Sequence, residues 1–393
     1  MKTNCPICKS TDIENLLQIH APSMQNKVYE SESDAIHCIT GVIDLAHCNK
    51  CNFSFNASFN EAILQYDQNY DNAVPSTIFH EYYIAICHYL FTNYNLEGAV
   101  VYDIGCGKGT FLNLLCSLFP SIKGVGIDPS YEGDLKPLHN LTFIQDFFRA
   151  EQVIDAPNLI ISRHVFEHIE FPKEFLQIIQ EPIKKFRDVP VFIEVPDFGW
   201  IVKNKTFWDL CYEHCNYFSE KSLEAVFDNE WSVLNKITKS FGGQYLWVEG
   251  IFNSSKNEIS RANNETIDCN AIKEFIESIK NSQDSIKRVL QNYKNQKYKI
   301  IVWGMATKGV IFSNTIDKNR KNIDYCIDIN KEKQNKFSPI SAHKIVSPDI
   351  LETLEKTECL VVVMNINYIN EIKLEVAKHH IHANFIDAHG NEL

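Results

Sequence analysis

The segment EGAVVYDIGCGKGTF, residues 97–111, constrains the fold of this chain more than any other stretch. Residues 99–104 have the length and apolar content of a buried parallel strand, and Gly105, Gly107 and Gly109 follow directly. Glycines at such a turn let the backbone turn tightly and approach a bound ligand closely. The pattern predicts a strand, loop and helix that hold a nucleotide-type cofactor, although a simple glycine turn before any helix of an α/β domain would look the same.

Two acidic residues support a cofactor loop. Asp103 stands at the end of the first strand, and Asp128 ends a second short apolar run, GVGID, about 20 residues beyond the glycines, where an acid can accept hydrogen bonds from ribose hydroxyls. The loop lacks the Lys-Ser/Thr pair with which a P-loop holds phosphate and magnesium. It therefore suits an adenosine that carries no pyrophosphate.

Two further strand candidates extend the pattern. LTFIQDFF places Asp146 and Phe147 where an adenine ring could be hydrogen-bonded and covered, and APNLIISRHV ends at His164. Together these features resemble the class I S-adenosylmethionine-dependent methyltransferases. The resemblance implies that S-adenosyl-L-methionine is the cofactor and that its ligands are Asp103, Gly105, Gly107, Gly109, Asp128, Asp146 and Phe147.

Length and charge limit the classes of protein. A chain of 393 residues that is 45% hydrophobic can bury more than one core, so we expect two or three domains. The net charge of −12 argues against nucleic acid and anionic membranes as partners, because both favour basic patches. Neither a secretion signal nor a run of ~18 apolar residues is evident, so we expect a cytoplasmic protein.

The cysteines near the N-terminus predict a metal site. Cys5 and Cys8 form one C-x2-C pair, and Cys48 and Cys51 form a second, so four thiolates could bind a zinc ion tetrahedrally. Cys38 and His47 are possible substitute ligands, and a redox pair is the alternative interpretation. A four-thiolate site has no open position, so we expect a structural Zn²⁺ that stabilises a small lobe and takes no part in catalysis.

The pattern divides the chain into three predicted domains. These are a zinc-binding lobe at residues 1–65, a methyltransferase domain at 66–265 that ends in a polar linker, and a C-terminal Rossmann-like α/β domain at 266–393. The last begins with a predicted long helix whose apolar stripe comprises Ile272, Phe275, Ile276, Ile279, Ile286, Val289, Leu290 and Tyr293. A strand-to-helix turn follows, where Gly304 and Gly309 flank Lys308. Backbone amides there could bind an anion such as phosphate, or the glycines could serve only to turn the chain.

Two segments carry candidate catalytic groups. In SRHVFEHIEFP, the spacings of His164, Glu167 and His168 predict that they share or nearly share a helical face. A second segment, EVPDFGWIVKNKTFWDLCYEHCNYFS, leads to Glu213 and His214. A histidine beside a carboxylate can be a general base with a raised pKa, suited to removing a proton near neutrality.

The order of these motifs resembles the sugar C-methyltransferases over nearly the whole chain. The paired C-x2-C motifs and the HVFEH and EHCNYFS segments carry the resemblance more specifically than the glycine loop. It implies transfer of a methyl group to C3 of a nucleotide-linked 4-keto deoxysugar through a base-generated enolate. It further implies that His214 is the base, oriented by Glu213, that His164 holds the keto sugar, and that Tyr70 covers the site from the N-terminal side.

Some residues depart from the family pattern. Cys211 and Tyr212 stand where the family has a tyrosine and a histidine, and Lys108 stands in a loop that usually reads C-N-D-G, so we expect the Lys108 side chain to point to solvent. Two other functions remain open. One is an O- or N-methyltransferase that acts on a related sugar and uses His214 to deprotonate a hydroxyl or amine. The other is a zinc-organised binding protein without turnover.

Overall fold

The computed structural model of the chain describes residues 1–64, 75–229, 232–253 and 266–393. The N-terminal lobe contains a four-stranded antiparallel sheet in the order β1-β2-β3-β9. Its strands are β1 (Ile13–Pro22), β2 (Thr40–Cys48), β3 (Phe53–Asn56) and β9 (Asn216–Tyr217). The short β9 comes from the EHCNYFS segment, so this sheet joins the lobe to the predicted catalytic region.

A second, seven-stranded sheet has the order β10-β11-β8-β7-β4-β5-β6. Strands β4 to β8 run parallel to one another, whereas β11 pairs antiparallel with both β8 and β10. The chain leaves the centre at β4, builds β5 and β6 on one side, and returns to β7 on the other, so its switch point lies between β4 and β7. The strands are β4 (Val100–Ile104), β5 (Lys123–Ile127), β6 (Leu141–Ile144), β7 (Leu159–Arg163), β8 (Val189–Pro196), β10 (Ser232–Ser240) and β11 (Tyr245–Phe252).

The C-terminal region has a five-stranded, wholly parallel sheet in the order β14-β13-β12-β15-β16. Its strands are β12 (Lys299–Trp303), β13 (Tyr325–Ile327), β14 (Ile345–Val346), β15 (Glu358–Val363) and β16 (His382–Asp387). The predicted α/β class, with two Rossmann-like sheets after an N-terminal lobe, is confirmed.

Helices cover the sheets and connect their strands. The α-helices are α1 (Glu32–Ile36), α2 (Thr77–Asn93), α3 (Thr110–Leu118), α4 (Pro172–Gln180), α5 (Phe198–Asn204), α6 (Glu220–Phe227), α7 (Cys269–Asn295), α8 (Thr307–Ile316) and α9 (Ile369–Ala377). Short 3₁₀ turns lie at Glu61–Ile63, Ala150–Gln152, Phe166–His168, Glu181–Ile183, Phe207–Asp209, Phe241–Gly243, Pro348–Leu354 and Ile366–Tyr368.

The sequence predicted one helix well and one poorly. Helix α7 follows the predicted apolar stripe; Asp268 caps its first turn by accepting from the Ala271 amide at 2.7 Å. The HVFEH segment, by contrast, is only the 3₁₀ turn Phe166–His168, so the predicted helical face is wrong. The reason is local: His164 adopts a left-handed φ of +55°, which the α-helix does not allow.

An apolar core, distinct from the one in which the lobe packs on the seven-stranded sheet, joins the N-terminal lobe to the C-terminal region. It includes Val28 from the lobe, Trp208 and Tyr217 from the middle of the chain, and Phe275 and Phe312 from the C-terminal region, all buried. Phe207, Trp208 and Tyr217 therefore serve packing. Within the described residues, no helix is long and apolar enough to cross a membrane.

Candidate functional site

The four predicted cysteine ligands converge in the N-terminal lobe. Cys5 Sγ lies 3.5 Å from Cys51 Sγ, Cys8 Sγ lies 3.5 Å from Cys48 Sγ, and all four sulfurs are within 4.8 Å of one another. Tetrahedral ligands at a zinc–sulfur distance of about 2.3 Å stand about 3.8 Å apart, so the donor set fits Zn²⁺. Of the possible substitutes, His47 Nδ1 lies 2.9 Å from Ser54 Oγ, and Cys38 lies outside the cluster.

The glycine loop has the backbone geometry that its sequence predicts. Gly105, Gly107 and Gly109 have φ values of +77°, +55° and +73°, which side chains rarely tolerate. A Cβ on Gly109 would lie 2.4 Å from Phe143 Cζ, and one on Gly105 would lie 2.3 Å from Val165 Cγ2. The residue that follows His164 therefore packs directly on the loop.

The two predicted acidic residues stand at the ends of neighbouring strands. Asp128 follows β5 and closes the loop, because its Oδ2 accepts from the Gly107 amide at 2.8 Å and its Oδ1 from the Ser130 amide at 2.7 Å. Asp103 is buried at the end of β4. Burial raises the pKa of Asp103 to about 7, although Arg163 opposes the shift.

Asp146 and Phe147 follow β6, at the edge of the same sheet. Asp146 Oδ1 accepts from Arg149 Nη2 at 2.6 Å, and the Phe147 side chain is 68% exposed. An exposed aromatic ring on this edge is available to cover a ligand. The predicted orientation of Lys108 toward solvent agrees with its exposed position.

His164 is held between two buried carboxylates. Its Nδ1 lies 3.4 Å from Glu167 Oε1 and its Nε2 lies 3.3 Å from Glu194 Oε2. Burial alone would lower the pKa of His164, but Glu167 and Glu194 outweigh it and raise the pKa to about 9. The imidazole is therefore a cation near neutral pH, and part of it remains accessible.

Glu194, on β8, organises the groups around His164. It is fully buried and accepts from Arg163 Nε at 2.8 Å, from Trp247 Nε1 at 2.9 Å and from the Tyr82 hydroxyl. The guanidinium of Arg163 is itself stacked 4.4 Å from the Tyr83 ring. Burial disfavours ionisation, yet Arg163 holds the pKa of Glu194 below its usual range, so the carboxylate is charged.

The second histidine group lies beside the first. A carboxylate oxygen of Glu167 and one ring nitrogen each of His168 and His214 lie within 4.8 Å of one another. The His168 and His214 rings meet edge-on with centroids 4.9 Å apart. Burial, followed by repulsion from His168, lowers the pKa of His214 to about 3. The predicted raised pKa is thus wrong for His214: desolvation and repulsion from His168 and His164 favour the neutral imidazole.

Glu213 lies next to His214 in sequence and reaches the N-terminal lobe. Its buried Oε1 accepts from the backbone amides of Gln25 and, at 3.3 Å, of Asn26. This contact brings Gln25 and Asn26 of the lobe against the segment that carries His214. The predicted Tyr70 lies outside the described residues.

The C-terminal turn repeats the geometry of the glycine loop. The Met305 amide donates to Asp328 Oδ2 at 2.8 Å, as Gly107 does to Asp128, and the Gly304 amide donates to Ile327 O at 2.9 Å. Lys308, which Gly304 and Gly309 flank, pairs with the Asp209 carboxylate.

Sequence reasoning missed some residues of the site. It passed over Arg163, Glu194 and Gln25, and it singled out Glu167 without giving it a partner. One signal was available: Glu194 is a charged residue inside the apolar run VFIEV, which a buried strand accepts only when the charge is paired. Nothing local in the sequence marks Gln25, because its proximity depends on contacts between distant segments.

Comparisons with known proteins agree with this architecture. Residues 77–230 match a family model described as a methyltransferase domain, and residues 256–386 match one described as a C-methyltransferase C-terminal domain. The chain is therefore similar to methyltransferases in its middle part and to C-methyltransferases in its C-terminal part. It is 23% identical over 270 residues to the C-methyltransferase NovU of Streptomyces niveus, and the match covers 64% of this chain but only 63% of that relative.

Solved structures with similar folds include methyltransferases. The plantazolicin methyltransferase BpumL in complex with SAH is 16% identical, with a TM-score of 0.34, over 45% of this chain and 86% of that chain. The magnesium protoporphyrin IX methyltransferase of Synechocystis with bound SAM is 14% identical, with a TM-score of 0.33, over 46% and 86%.

Proposed function

We propose that the protein transfers a methyl group from S-adenosyl-L-methionine to carbon, at C3, of a nucleotide-linked 4-keto deoxysugar. The observation that carries this proposal is the joining of a glycine loop to a cluster of histidines and carboxylates at the carboxyl ends of β4 and β7. Val165, which packs on Gly105, connects the two. Ligands of open parallel sheets bind at such a switch point.

The cofactor fits the residues beyond the strand ends. The backbone of Gly105, Gly107 and Gly109 allows close approach, Asp128 and Asp103 lie beside the loop, and Asp146 and Phe147 flank the adenine side. When bound, S-adenosyl-L-methionine supplies an electrophilic methyl group on sulfur.

The histidines match carbon-acid chemistry. A ketone acidifies the neighbouring C–H bond, and neutral His214 has a free electron pair with which to take that proton. The resulting enolate carries negative charge on its oxygen, and cationic His164 stabilises charge of that sign. In this proposal His214 is the base, and His164 stabilises the negative charge of the enolate.

The C-terminal sheet suits the nucleotide part of the substrate. Its Gly304 turn, closed by Asp328, is built like the loop of the second sheet, and α8 follows it directly. Asn26 connects this turn to the lobe through its hydrogen bond to Thr307 Oγ1, 2.9 Å long. A ligand that spans both sheets would place the nucleotide here and the sugar at the histidines.

The cysteine cluster would hold a structural zinc ion. Four sulfurs leave no coordination position for a substrate, so the ion would only stabilise the fold of the lobe. The expected partner is a small nucleotide sugar, not nucleic acid or a membrane.

The test is mass spectrometry of a panel of nucleotide-linked 4-keto deoxysugars, incubated with protein and S-adenosyl-L-methionine in deuterated buffer. We expect a gain of one methyl group, and deuterium beside the ketone when the methyl donor is left out. Methylation of sugars that lack a ketone would support the O- or N-methyltransferase instead. An absence of methyl gain with every sugar would contradict the proposal.

A further inference from the structure

Glu167 lies between the two histidines with assigned roles. It is 2% exposed and belongs to the 3₁₀ turn Phe166–His168 that follows β7. Its Oε1 lies 3.4 Å from His164 Nδ1, while its buried Oε2 has no hydrogen-bond partner. One of its oxygens is also within 4.8 Å of a ring nitrogen of His214. A buried carboxylate oxygen without a donor is costly, so it is expected to accept a hydrogen bond at some stage of the reaction.

The other polar groups near His214, His168 and Glu213, have different hydrogen-bond partners. His168 Nδ1 lies 3.0 Å from the carbonyl oxygen of Glu213, and a carbonyl only accepts, so His168 carries its proton on Nδ1. Glu213, the carboxylate that the sequence assigned to His214, uses Oε1 to bind the backbone of Gln25 and Asn26. Its side chain therefore ties the N-terminal lobe to the catalytic segment.

We propose that Glu167 is the positioning carboxylate of the base His214, the role that the sequence gave to Glu213. The inference rests on the proposed function, in which His214 takes a proton from carbon. When His214 becomes an imidazolium in its partly buried position, a carboxylate within reach offsets the charge and holds the ring in one orientation, as the aspartate of a Ser-His-Asp triad does. Glu167 does so without taking the proton itself, and its other oxygen keeps its contact with His164.

The test compares Glu167→Gln with Glu167→Asp. Gln keeps the shape but removes the charge, so we expect kcat to fall by about 10²–10⁴-fold, KM to change by less than about threefold, and S-adenosyl-L-methionine binding to persist. Deuterium exchange beside the ketone, measured without methyl donor, should fall in parallel because it reports the base alone. Asp should recover at least about tenfold of the lost kcat, since it restores the charge.

The matched control is Glu174→Gln, an exposed glutamate on α4 whose side chain pairs with Lys9. It should leave kcat and exchange unchanged. If Glu167→Gln keeps kcat within about threefold of the wild type, or loses activity only through KM, Glu167 does not support the base.

A measurement without turnover separates this inference from the proposed function. Nitrogen-15 NMR of histidine-labelled protein reports which ring nitrogen of His214 carries the proton. Glu167→Gln should change the His214 tautomer balance, and Glu174→Gln should not. Unchanged His214 signals would overturn the inference, whether or not a keto sugar is the substrate. A wild-type enzyme that exchanges no deuterium into any keto sugar would contradict the proposed function alone.

Discussion

Two histidines in the same site have opposite pKa shifts because different groups face them. His164 lies between the carboxylates of Glu167 and Glu194, and its pKa rises to about 9. His214 is partly buried next to His168, and desolvation and repulsion from His168 lower its pKa to about 3. Acid and base roles can be assigned when the pKa values of neighbouring groups are shifted in opposite directions in this way. In the proposed function, His164 would therefore support negative charge, and His214 would accept a proton.

We expect His214→Ala to abolish turnover while the protein still binds S-adenosyl-L-methionine. The loss should be at least about 10²-fold in kcat, because a positioned base contributes about that much. Calorimetric titration with the cofactor and single-turnover assays would measure the two effects. The control is His382→Ala, an exposed histidine at the start of β16. Turnover that survives in His214→Ala would remove His214 from the mechanism.

Asp103 should make stability depend on pH. Its folded-state pKa of about 7 exceeds the ordinary value of 3.8, so folding favours the protonated form. Its contribution is present at low pH and is lost as the pH rises from about 4 to about 7. Between pH 5 and pH 8 we expect the free energy of unfolding to fall by about 2–3 kcal/mol more in the wild type than in Asp103→Asn, measured by urea titration. Equal slopes would show that Asp103 is ionised when folded.

Residues near the glycine loop were predictable, but the partners of the histidines were not. Gly105 and Asp128 belong to a local pattern with fixed spacing. Glu194 meets His164 only because β8 pairs with β7, and the paired residues Arg163 and Glu194 are 31 positions apart in the sequence. The prediction of a raised pKa for His214 was wrong for the same reason. Its adjacent Glu213 points to the lobe, and the pKa is set by burial and by His168.

At the scale of elements, backbone geometry limits which residues the loop between β4 and α3 can accept. Gly107 and Gly109 both have positive φ, but only Gly109 has neighbours in the space of a Cβ. We expect Gly107→Ala to lower the free energy of unfolding by about 1 kcal/mol and Gly109→Ala by about 2–4 kcal/mol, because the second adds a clash with Phe143 to the backbone strain. Chemical denaturation of both variants would measure the difference. Equal losses would mean that the Phe143 ring moves aside freely.

The cysteine cluster gives a metal prediction at the same scale. We expect about one zinc per chain in protein purified without chelator, and loss of that zinc in Cys48→Ser, because three thiolates bind it less tightly. Metal analysis by mass spectrometry measures the content. Cys38→Ser is the control, since Cys38 lies outside the cluster. Metal-free wild-type protein would favour a redox role for the C-x2-C pairs.

Local periodicity predicted whole elements where it was strong. The strands β4 to β7 and the helix α7 were predicted from apolar runs and a single stripe. The sheet of the lobe was not, because β9 pairs with β3 across more than 150 residues, with Ser54 opposite Tyr217. The HVFEH turn was misassigned because helical spacing alone does not reveal the left-handed φ of His164.

At the scale of the whole molecule, the lobe and the C-terminal region are joined by several contacts. Lys333 Nζ donates to Asn26 Oδ1 at 3.1 Å, Arg320 pairs with Glu32 at 2.5 Å, and Tyr29 and Phe337 exchange backbone hydrogen bonds. These contacts surround the shared apolar core. The lobe and the C-terminal region should therefore depend on each other for stability. A substitution that destabilises the lobe should also destabilise the C-terminal region.

We expect zinc release and global unfolding to occur together. When the protein is heated with a chromogenic zinc chelator, the midpoint of zinc release should coincide within about 2 °C with the loss of far-ultraviolet circular dichroism, as two-state behaviour requires. The physical reason is that Val28 from the lobe packs in one core with Phe275 and Phe312 from the C-terminal region, so opening the lobe exposes that core. The same scan on Asn26→Ala, which removes both of the hydrogen bonds of Asn26 to Thr307 and Lys333, should lower both midpoints equally. Zinc release well below the main transition, with the circular dichroism signal intact, would show instead that the lobe opens independently of the core it helps to form.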